Sequence, residues 1–299
     1  MKTIAEVVEA SRNSGRKRVA VAAAQDASVL EAVVDAALHG IAEPILVGDL
    51  DAIDAVAKEL LLDLSRFERV DVKSPQAAAA EAVRLVRTGE ADLLMKGIVD
   101  TSVLLKAALN KESGINEGTL VSHVAIIETA SYPKLLFVTD GAINIAPDLG
   151  DKLAIIANAI RAAHALGIVL PKVALLAAIE KVNYAKMPCT VDAAIIAQMA
   201  RRAQVPGCIL DGPLALDNAV SVESARVKHI SSEVAGDADI LVAPDIEAGN
   251  ILYKSLVDLG GAKGAGIVMG ASSPIVLVSR ADSAQTKLAS IAFAALASR

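Results

Sequence analysis

The segment that follows the apolar run 274–278 carries the most specific chemistry in this sequence. Ser279 and Arg280 end that run, and Asp282 and Ser283 come directly after them. A guanidinium group can pair with two oxygens of one phosphate, and a helix N-terminus adds free N–H donors. The segment therefore predicts a phosphate clamp at the start of a C-terminal helix. Asp282 has a simpler interpretation as the N-cap of that helix.

A second segment with similar chemistry begins at Lys96-Gly97, at the end of an apolar run. Asp100 or Thr101 is suited to cap the helix that follows, and Lys106 lies inside that helix. A lysine, a glycine and a helix N-terminus together favour an anion-binding site. The same pattern is also typical of an ordinary capped helix with a solvated lysine.

Two further segments place polar residues after apolar runs. One contains Asp140 and Asn144, separated by a glycine-bearing turn, and Asp140 is equally typical of a plain turn residue. The other is a helix in which Asn250 and Lys254, spaced i and i+4, share a face with Tyr253 beside them. We predict that both segments contribute to substrate binding.

Strand-like and helix-like runs alternate along the whole chain. This alternation predicts an α/β protein with mostly parallel sheets and helices on both faces. Two runs, 123–128 and 135–139, have no helix between them and predict an antiparallel hairpin. Ligands of such sheets bind beyond the carboxyl ends of the strands, which is where the four segments lie.

Composition narrows the function classes. A chain of 299 residues is longer than one core usually holds, so two domains are expected. Hydrophobic residues make up 54%, but no run approaches the ~20 apolar residues of a spanning helix. The N-terminus shows no secretory signal pattern, which predicts a cytoplasmic protein. A net charge of −6 and the absence of Trp argue against a nucleic-acid partner.

Familiar cofactor and metal patterns do not occur. The glycine cluster 260–270 lacks the spacing of a dinucleotide loop and precedes a strand. The four histidines show no metal-ligand spacing, and Cys189 and Cys208 match neither a zinc site nor a redox pair. We therefore expect no metal and no tightly bound cofactor.

The four segments, in this order, resemble the phosphate acetyl/butyryl transferase family, most of all its phosphate butyryltransferase members. The resemblance covers nearly the whole chain. The stretches that carry it are DLLMKGIVDTSVLLKAALNKESG, LVSHVAIIE, YPKLLFVTDGAINIAPDL, LGIVLPKVALLAAIEKVN, DGPLALDNA, ADILVAPDIEAGNILYKSL and PIVLVSRADS.

The resemblance implies a two-domain fold related to isocitrate and isopropylmalate dehydrogenases, with the active site in the interdomain cleft. It implies that residues 1–147 plus 269–299 form one domain, completed by the C-terminal segment, and that 148–268 form the other. Members of the family form homo-oligomers, so a dimer or larger assembly is expected.

The resemblance also implies the reaction acyl-CoA + phosphate = acyl phosphate + CoA, with coenzyme A as substrate. The family's Ser-Arg pair corresponds to Ser279 and Arg280, and its loop arginine corresponds to Lys106. Arg280 and Lys106 are expected to hold phosphate, while Ser279 hydrogen-bonds the oxyanion or the thiolate. Thr286 stands where acetyl-transferring members have Asp, which leaves the general base open and favours the butyryl-like branch.

Several alternatives remain at this point. Phosphate acetyltransferase activity is the nearest. A metal-dependent decarboxylating dehydrogenase of the same fold would need clustered carboxylates at strand ends. A non-catalytic acyl-CoA-binding protein would have lost Ser279 or Arg280. An enzyme that uses acyl carrier protein would need a basic docking patch, and Arg16-Lys17-Arg18 and Arg201-Arg202 are short for one.

Overall fold

The computed structural model describes residues 1–298, which fold into two compact units. The N-terminal unit contains residues 4–119 and the described residues from Ala265 onward. The inserted unit contains residues 120–264, together with 1–3.

The strands, in chain order, are β1 (Lys17–Ala22), β2 (Ala42–Gly48), β3 (Glu68–Asp71), β4 (Leu93–Lys96), β5 (Ser122–Glu128), β6 (Leu136–Thr139), β7 (Lys172–Leu176), β8 (Ile209–Leu214), β9 (Ile240–Val242), β10 (Lys263–Met269) and β11 (Ile275–Val276). The α-helices are α1 (Ile4–Asn13), α2 (Ala27–Leu38), α3 (Leu50–Glu59), α4 (Pro75–Arg87), α5 (Thr101–Ala108), α6 (Leu149–Ala165), α7 (Cys189–Arg201), α8 (Leu216–Val220), α9 (Val222–Val227), α10 (Ile246–Lys254) and α11 (Ala284–Ala297). A π-helical turn, Ser255–Leu259, follows α10.

Strand pairing is mostly parallel, as the alternating pattern predicted. In the N-terminal unit the order is β3-β2-β1-β4-β11-β10, and only β10 is antiparallel to its neighbour β11. In the inserted unit the order is β5-β6-β9-β7-β8, and only β5 is antiparallel to β6. The expected hairpin over residues 123–139 is therefore present.

The division of the chain differs from the expected one in the segment 120–147. That segment groups with the inserted unit, not with the N-terminal residues. The reason is strand pairing, because β6 lies parallel to β9, with Val138 opposite Leu241. The return of the chain after residue 264 completes the N-terminal unit through β11, which pairs with β4.

Local sequence explains where the helices begin. Asp26 and Ser74 accept the N–H groups of Val29 and Ala77 at the starts of α2 and α4. Asp148 and Asp151 form a reciprocal capping box at α6. Ser283, not Asp282, caps α11, so the simpler interpretation of Asp282 as the cap is wrong.

The buried strands of the N-terminal unit bring their carboxyl ends to one edge. All four residues of β4 are buried, and β1 and β11 lie parallel on its two sides. Residues that follow β1, β4 and β11 therefore lie close together. Two groups of helices cover the sheet: α11 packs with α1 and α2, and α4 packs with α5. No helix among residues 1–298 has the length and apolar character needed to cross a membrane.

Candidate active site

Lys96 is a buried ammonium group at the carboxyl end of β4. Only 6% of the residue is exposed, and the one hydrogen bond of its side chain among residues 1–298 is a 3.3 Å contact from Nζ to the carbonyl of Gly97. Burial lowers the pKa of Lys96, and the positive charges of Arg280 and Lys287 lower it further. Asp26 and Asp100 act in the opposite direction but more weakly. The charged lysine is therefore short of counter-charge.

Arg280 lies at the same edge, beyond the end of β11. Its Nη2 is 2.7 Å from Oδ1 of Asp100, the residue before α5. The side chains are 61% and 73% exposed, so the pair is solvated. Exposed ion pairs contribute about 0–1 kcal/mol, so an incoming anion can displace Asp100 from Arg280.

The N-terminus of α5 lacks a side-chain cap. Asp100 occupies the N-cap position but makes no hydrogen bond to the first turn, because its carboxylate faces Arg280. Thr101 is the first residue of the helix. Uncapped N–H groups and the helix dipole both favour an anion here.

The loop that carries Ser279 and Arg280 is closed by its own hydrogen bonds. The N–H of Ser279 donates to Oδ2 of Asp282 at 2.7 Å, and the N–H of Asp282 donates to the carbonyl of Ser279 at 3.2 Å. Ser283 next to it is occupied as the cap of α11, accepting the N–H of Thr286 at 3.1 Å. Ser279 itself is exposed.

Lys287, from the second turn of α11, contacts this loop from inside the protein. Its Nζ donates to the carbonyls of Ser279 at 3.3 Å and Asp282 at 2.5 Å. Sequence reasoning missed this residue. The signal was a lysine in a helix whose following residues are almost all small or apolar, from Leu288 to Ala297.

Lys106 is not joined to Arg280. No hydrogen bond or ion pair within residues 1–298 links the two side chains. Lys106 instead lines a groove of about 510 Å³ between α4 and α5, with Arg84 and Arg87 on the facing helix. Two cations do not pair with each other directly, so the expectation that Arg280 and Lys106 hold the same phosphate stays a prediction. The positive charge of Arg280 does act on Lys96.

In the inserted unit, Asp140 organises the loop after β6. It is 3% exposed, and its carboxylate accepts four hydrogen bonds. The donors are the N–H of Ala142 at 2.8 Å, of Ile143 at 3.1 Å and of Asn144 at 3.2 Å, and Nδ2 of Asn144 at 2.7 Å. With its oxygens thus committed, Asp140 shapes the turn and holds the Asn144 side chain.

The helix α10 packs directly on this turn. Nδ2 of Asn250 donates to the carbonyl of Gly141 at 2.9 Å. Gly249 permits this approach, because a Cβ there would lie 2.4 Å from the carbonyl oxygen of Asp140. Asn250 therefore fastens the turn, whereas Lys254, at the end of α10, is exposed.

Tyr253 has a mixed environment. Its ring packs against the core of the inserted unit and lies edge-on to His123, with centroids 6.5 Å apart. His123 is 9% exposed and was not among the predicted site residues. Tyr253, Asn250 and Asp140 are thus brought together, as are Lys96, Asp100, Thr101 and Arg280 in the N-terminal unit.

The N-terminal cluster can bind a small dianion and stabilise developing negative charge. It combines a guanidinium, a poorly paired ammonium and uncapped helix N–H groups, with the Ser279 hydroxyl on the same loop. No group of three or more His, Cys, Asp or Glu side chains within residues 1–298 is arranged to hold a metal ion.

The chain is similar to a known protein family and to several of its members. The family profile described as phosphate acetyl/butaryl transferase matches residues 2–82 and 76–295. The phosphate butyryltransferase of Clostridium beijerinckii is 48% identical over 99% of this chain and 97% of its own length. The phosphate acetyltransferase of Thermotoga maritima is 44% identical over 97% of this chain and 98% of its own length.

Solved structures agree on the fold. The branched-chain phosphotransacylase from Enterococcus faecalis V583 superposes with a TM-score of 0.83 at 37% identity, covering 94% of this chain and 98% of its own. The 4-hydroxythreonine-4-phosphate dehydrogenase from Klebsiella pneumoniae has a TM-score of 0.57 at 12% identity, covering 93% and 98%. The latter shows a shared α/β fold alone.

The position of Lys96 generates a prediction about Gly97. A Cβ on Gly97 would lie 2.1 Å from the carbonyl oxygen of Ala23, so this glycine is required by the neighbouring strand end. We expect Gly97→Ala to lower the free energy of unfolding by about 1–3 kcal/mol through overpacking. Denaturant unfolding measures this change.

Gly150→Ala is the matched control, because that glycine lies in the first turn of α6 and its added Cβ would come no closer than 3.3 Å, to Oδ1 of Asp148. Its stability should be unchanged or slightly higher. Wild-type stability in Gly97→Ala would contradict the close approach.

Proposed function

The chain belongs to the phosphate acetyl/butyryl transferase family, and we propose that it transfers a short acyl group, butyryl first, between coenzyme A and inorganic phosphate at the cluster of Lys96, Arg280 and the α5 N-terminus. The 48% identity to the C. beijerinckii phosphate butyryltransferase supports the butyryl group. Acetyl is the second candidate, because the T. maritima phosphate acetyltransferase is 44% identical.

The observation that carries the proposal is the lack of counter-charge around Lys96. A buried ammonium beside two further cations is costly unless an anion is supplied. The two carboxylates that raise the Lys96 pKa are otherwise engaged, since Asp26 caps α2 and Asp100 pairs with Arg280. Phosphate supplies two negative charges and several acceptor oxygens, which suits both lysine and guanidinium.

The exposed pair of Arg280 and Asp100 fits a site that alternates between empty and loaded. Asp100 holds the guanidinium of Arg280 through a contact of 2.7 Å. When phosphate binds, Arg280 exchanges one carboxylate oxygen for phosphate oxygens, at little net cost.

The chemical step forms one bond and breaks one. A phosphate oxygen attacks the thioester carbonyl carbon, forming a C–O bond and a tetrahedral oxyanion. The oxyanion collapses, the C–S bond breaks, and coenzyme A leaves as its thiolate. The hydroxyl of Ser279 donates a hydrogen bond to the oxyanion or the thiolate, and Arg280 offsets the negative charge. Holding both substrates in place supplies much of the acceleration.

Lys106 takes a different role in this proposal. Its groove also carries Arg87, and Lys106 and Arg87 together offer a second site of positive charge in the N-terminal unit. Arg84 in the same groove is paired with Glu81 and Glu90. Coenzyme A carries several phosphate groups remote from its thiol. We propose that Lys106 contributes to coenzyme A binding and not to the reacting phosphate. Asp140, Asn144, Asn250, Tyr253 and Lys254 are retained as proposed substrate-binding residues, the first three through the turn they organise.

Several finer proposals rest on the sequence and on its family resemblance. These are a fold relation to isocitrate and isopropylmalate dehydrogenases, a homo-oligomeric assembly, a cytoplasmic location, and catalysis without a metal or a tightly bound cofactor. Nucleic acid and membrane are not proposed as partners.

Thiol release from acyl-CoA in the presence of phosphate tests the proposed function. Acetyl-, propionyl-, butyryl-, isobutyryl- and isovaleryl-CoA are compared at equal concentration. We expect phosphate-dependent release with kcat/KM highest for butyryl-CoA or a branched analogue. Maximal activity with acetyl-CoA would favour the second candidate, and no phosphate-dependent release with any thioester would contradict the proposal.

Arg280→Ala tests the phosphate clamp. Loss of a guanidinium that binds the dianion and stabilises the transition state should lower kcat/KM for phosphate at least 100-fold, or about 2.7 kcal/mol. Arg226→Ala is the control, because Arg226 forms an exposed pair with Glu223 in α9 and has no proposed role. Activity of Arg280→Ala within about tenfold of wild type would remove Arg280 from this role.

The lowered pKa of Lys96 generates a pH prediction. The ammonium form binds phosphate, and that form is lost as the pH rises through a pKa that lies below the ordinary 10.5. We expect the KM for phosphate to rise across that pH range in the wild-type protein. Lys96→Met should have a raised KM at every pH and should lack this step. Superimposable pH profiles of the two proteins would contradict the assignment.

A further inference from the structure

Lys287 is one of the most deeply buried charged residues in the described chain. It is 2% exposed, although it follows the exposed cap Ser283 by only one turn of α11. A buried ammonium is costly unless hydrogen bonds satisfy it. The hydrogen-bond partners of Lys287 therefore indicate its role.

The hydrogen bonds of the Lys287 ammonium group go to two backbone carbonyls of one loop. Nζ donates to the carbonyl of Asp282 at 2.5 Å and to that of Ser279 at 3.3 Å. These carbonyls belong to the first and last residues of the turn that presents Ser279 and Arg280. No carboxylate within residues 1–298 forms an ion pair with Lys287, so its charge is balanced by carbonyl dipoles.

The geometry of α11 explains why a lysine at this position can reach the loop. Side chains on a helix point back toward its N-terminus. From the second turn, a long flexible chain can therefore extend under the turn that precedes the helix. The turn is closed on its other side by the hydrogen bond from the N–H of Ser279 to Asp282. It is thus held from two directions.

We propose that Lys287 is a positioning residue that fixes the 279–282 turn, so that the hydroxyl of Ser279 and the guanidinium of Arg280 face the reacting phosphate. The inference rests on the proposed function, because the residues that it positions are those assigned to phosphate there. Its positive charge also contributes to the depression of the Lys96 pKa, which links the turn to the buried lysine of β4.

Two substitutions separate hydrogen bonding from bulk. Lys287→Met keeps an unbranched chain but removes every donor. Lys287→Gln keeps neutral N–H donors on a side chain that is one bond shorter. If hydrogen bonds to the two carbonyls position the turn, glutamine restores a substantial part of the activity that methionine loses.

Lys152→Met is the matched control for removing a buried lysine. The Lys152 side chain is 8% exposed and pairs with Asp192 at 2.6 Å in the inserted unit. Its loss should lower stability, but it has no proposed contact with phosphate. A change that Lys287→Met shares with Lys152→Met therefore reports on folding alone.

Steady-state kinetics supply the first readout. We expect Lys287→Met to lower kcat/KM for phosphate about 100-fold, because a displacement near 1 Å of reacting groups has effects of this size. The KM for phosphate should rise at least about tenfold, while the KM for acyl-CoA stays within about threefold. A loss of folded protein alone lowers apparent kcat and leaves both KM values unchanged.

Hydrogen exchange supplies a readout that does not depend on activity. In Lys287→Met, amides of the segment 277–283 should exchange faster, while those of 288–296 stay protected as in the wild-type protein. If methionine does not yield folded protein, Lys287→Gln measured against wild type gives the same comparison with a smaller effect.

The kinetic and exchange measurements together test whether Lys287 positions the turn. A phosphate-specific KM effect together with faster exchange in the turn supports this inference. Kinetics of Lys287→Met within about threefold of wild type overturn it, as does a loss of apparent kcat with both KM values unchanged that Lys152→Met reproduces. Absence of phosphate-dependent thiol release in the wild-type protein would contradict the proposed function, whereas the exchange result would still test whether Lys287 holds the turn.

Discussion

The proposed chemistry depends on one buried and poorly paired ammonium group at the end of β4. Lys96 is buried, and its ammonium group makes one long hydrogen bond among the described residues. The charged groups that act on it include two further cations, Arg280 and Lys287. Packing three cations at one sheet edge opposes folding unless the surroundings are fixed by other forces. The buried strands β4 and β11 and the buried part of β1 supply those forces. In the proposed function, the electrostatic cost becomes affinity when an anion binds.

The proposed site needs the chain to return to the N-terminal unit after the inserted unit. Lys96 and Arg280 are far apart in the sequence, and they meet because β11 lies parallel to β4 with Val276 opposite Met95. The helix α11 then follows immediately, and its Lys287 secures the turn between strand and helix. The inserted unit separates the two strands in sequence and is itself compact, and the entropy of closing a loop rises only slowly with its length.

In the inserted unit the buried carboxylate of Asp140 is fully hydrogen-bonded, in contrast to the buried ammonium of Lys96. Asp140 accepts four hydrogen bonds from its own turn and its neighbour Asn144, so it acts as a structural centre. Gly249 and Asn250 of α10 then pack against the same turn. Asp140 and Asn250, which the sequence suggests as substrate ligands, here form hydrogen bonds to the backbone of the turn. A loop shaped in this way has a fixed surface to offer a substrate.

The sequence by itself determined the α/β class, the parallel pairing, the 123–139 hairpin and the family, because apolar periodicity and motif order are local properties of the chain. It also placed Arg280 and Lys96 at strand ends. Only the tertiary structure decided that Lys96 lies within the electrostatic influence of Arg280, and that segment 120–147 joins the inserted unit. It also revealed Lys287 beneath the turn and the four-bond role of Asp140. These outcomes depend on burial and on contacts between distant segments, and neither is encoded in the spacing of neighbouring residues.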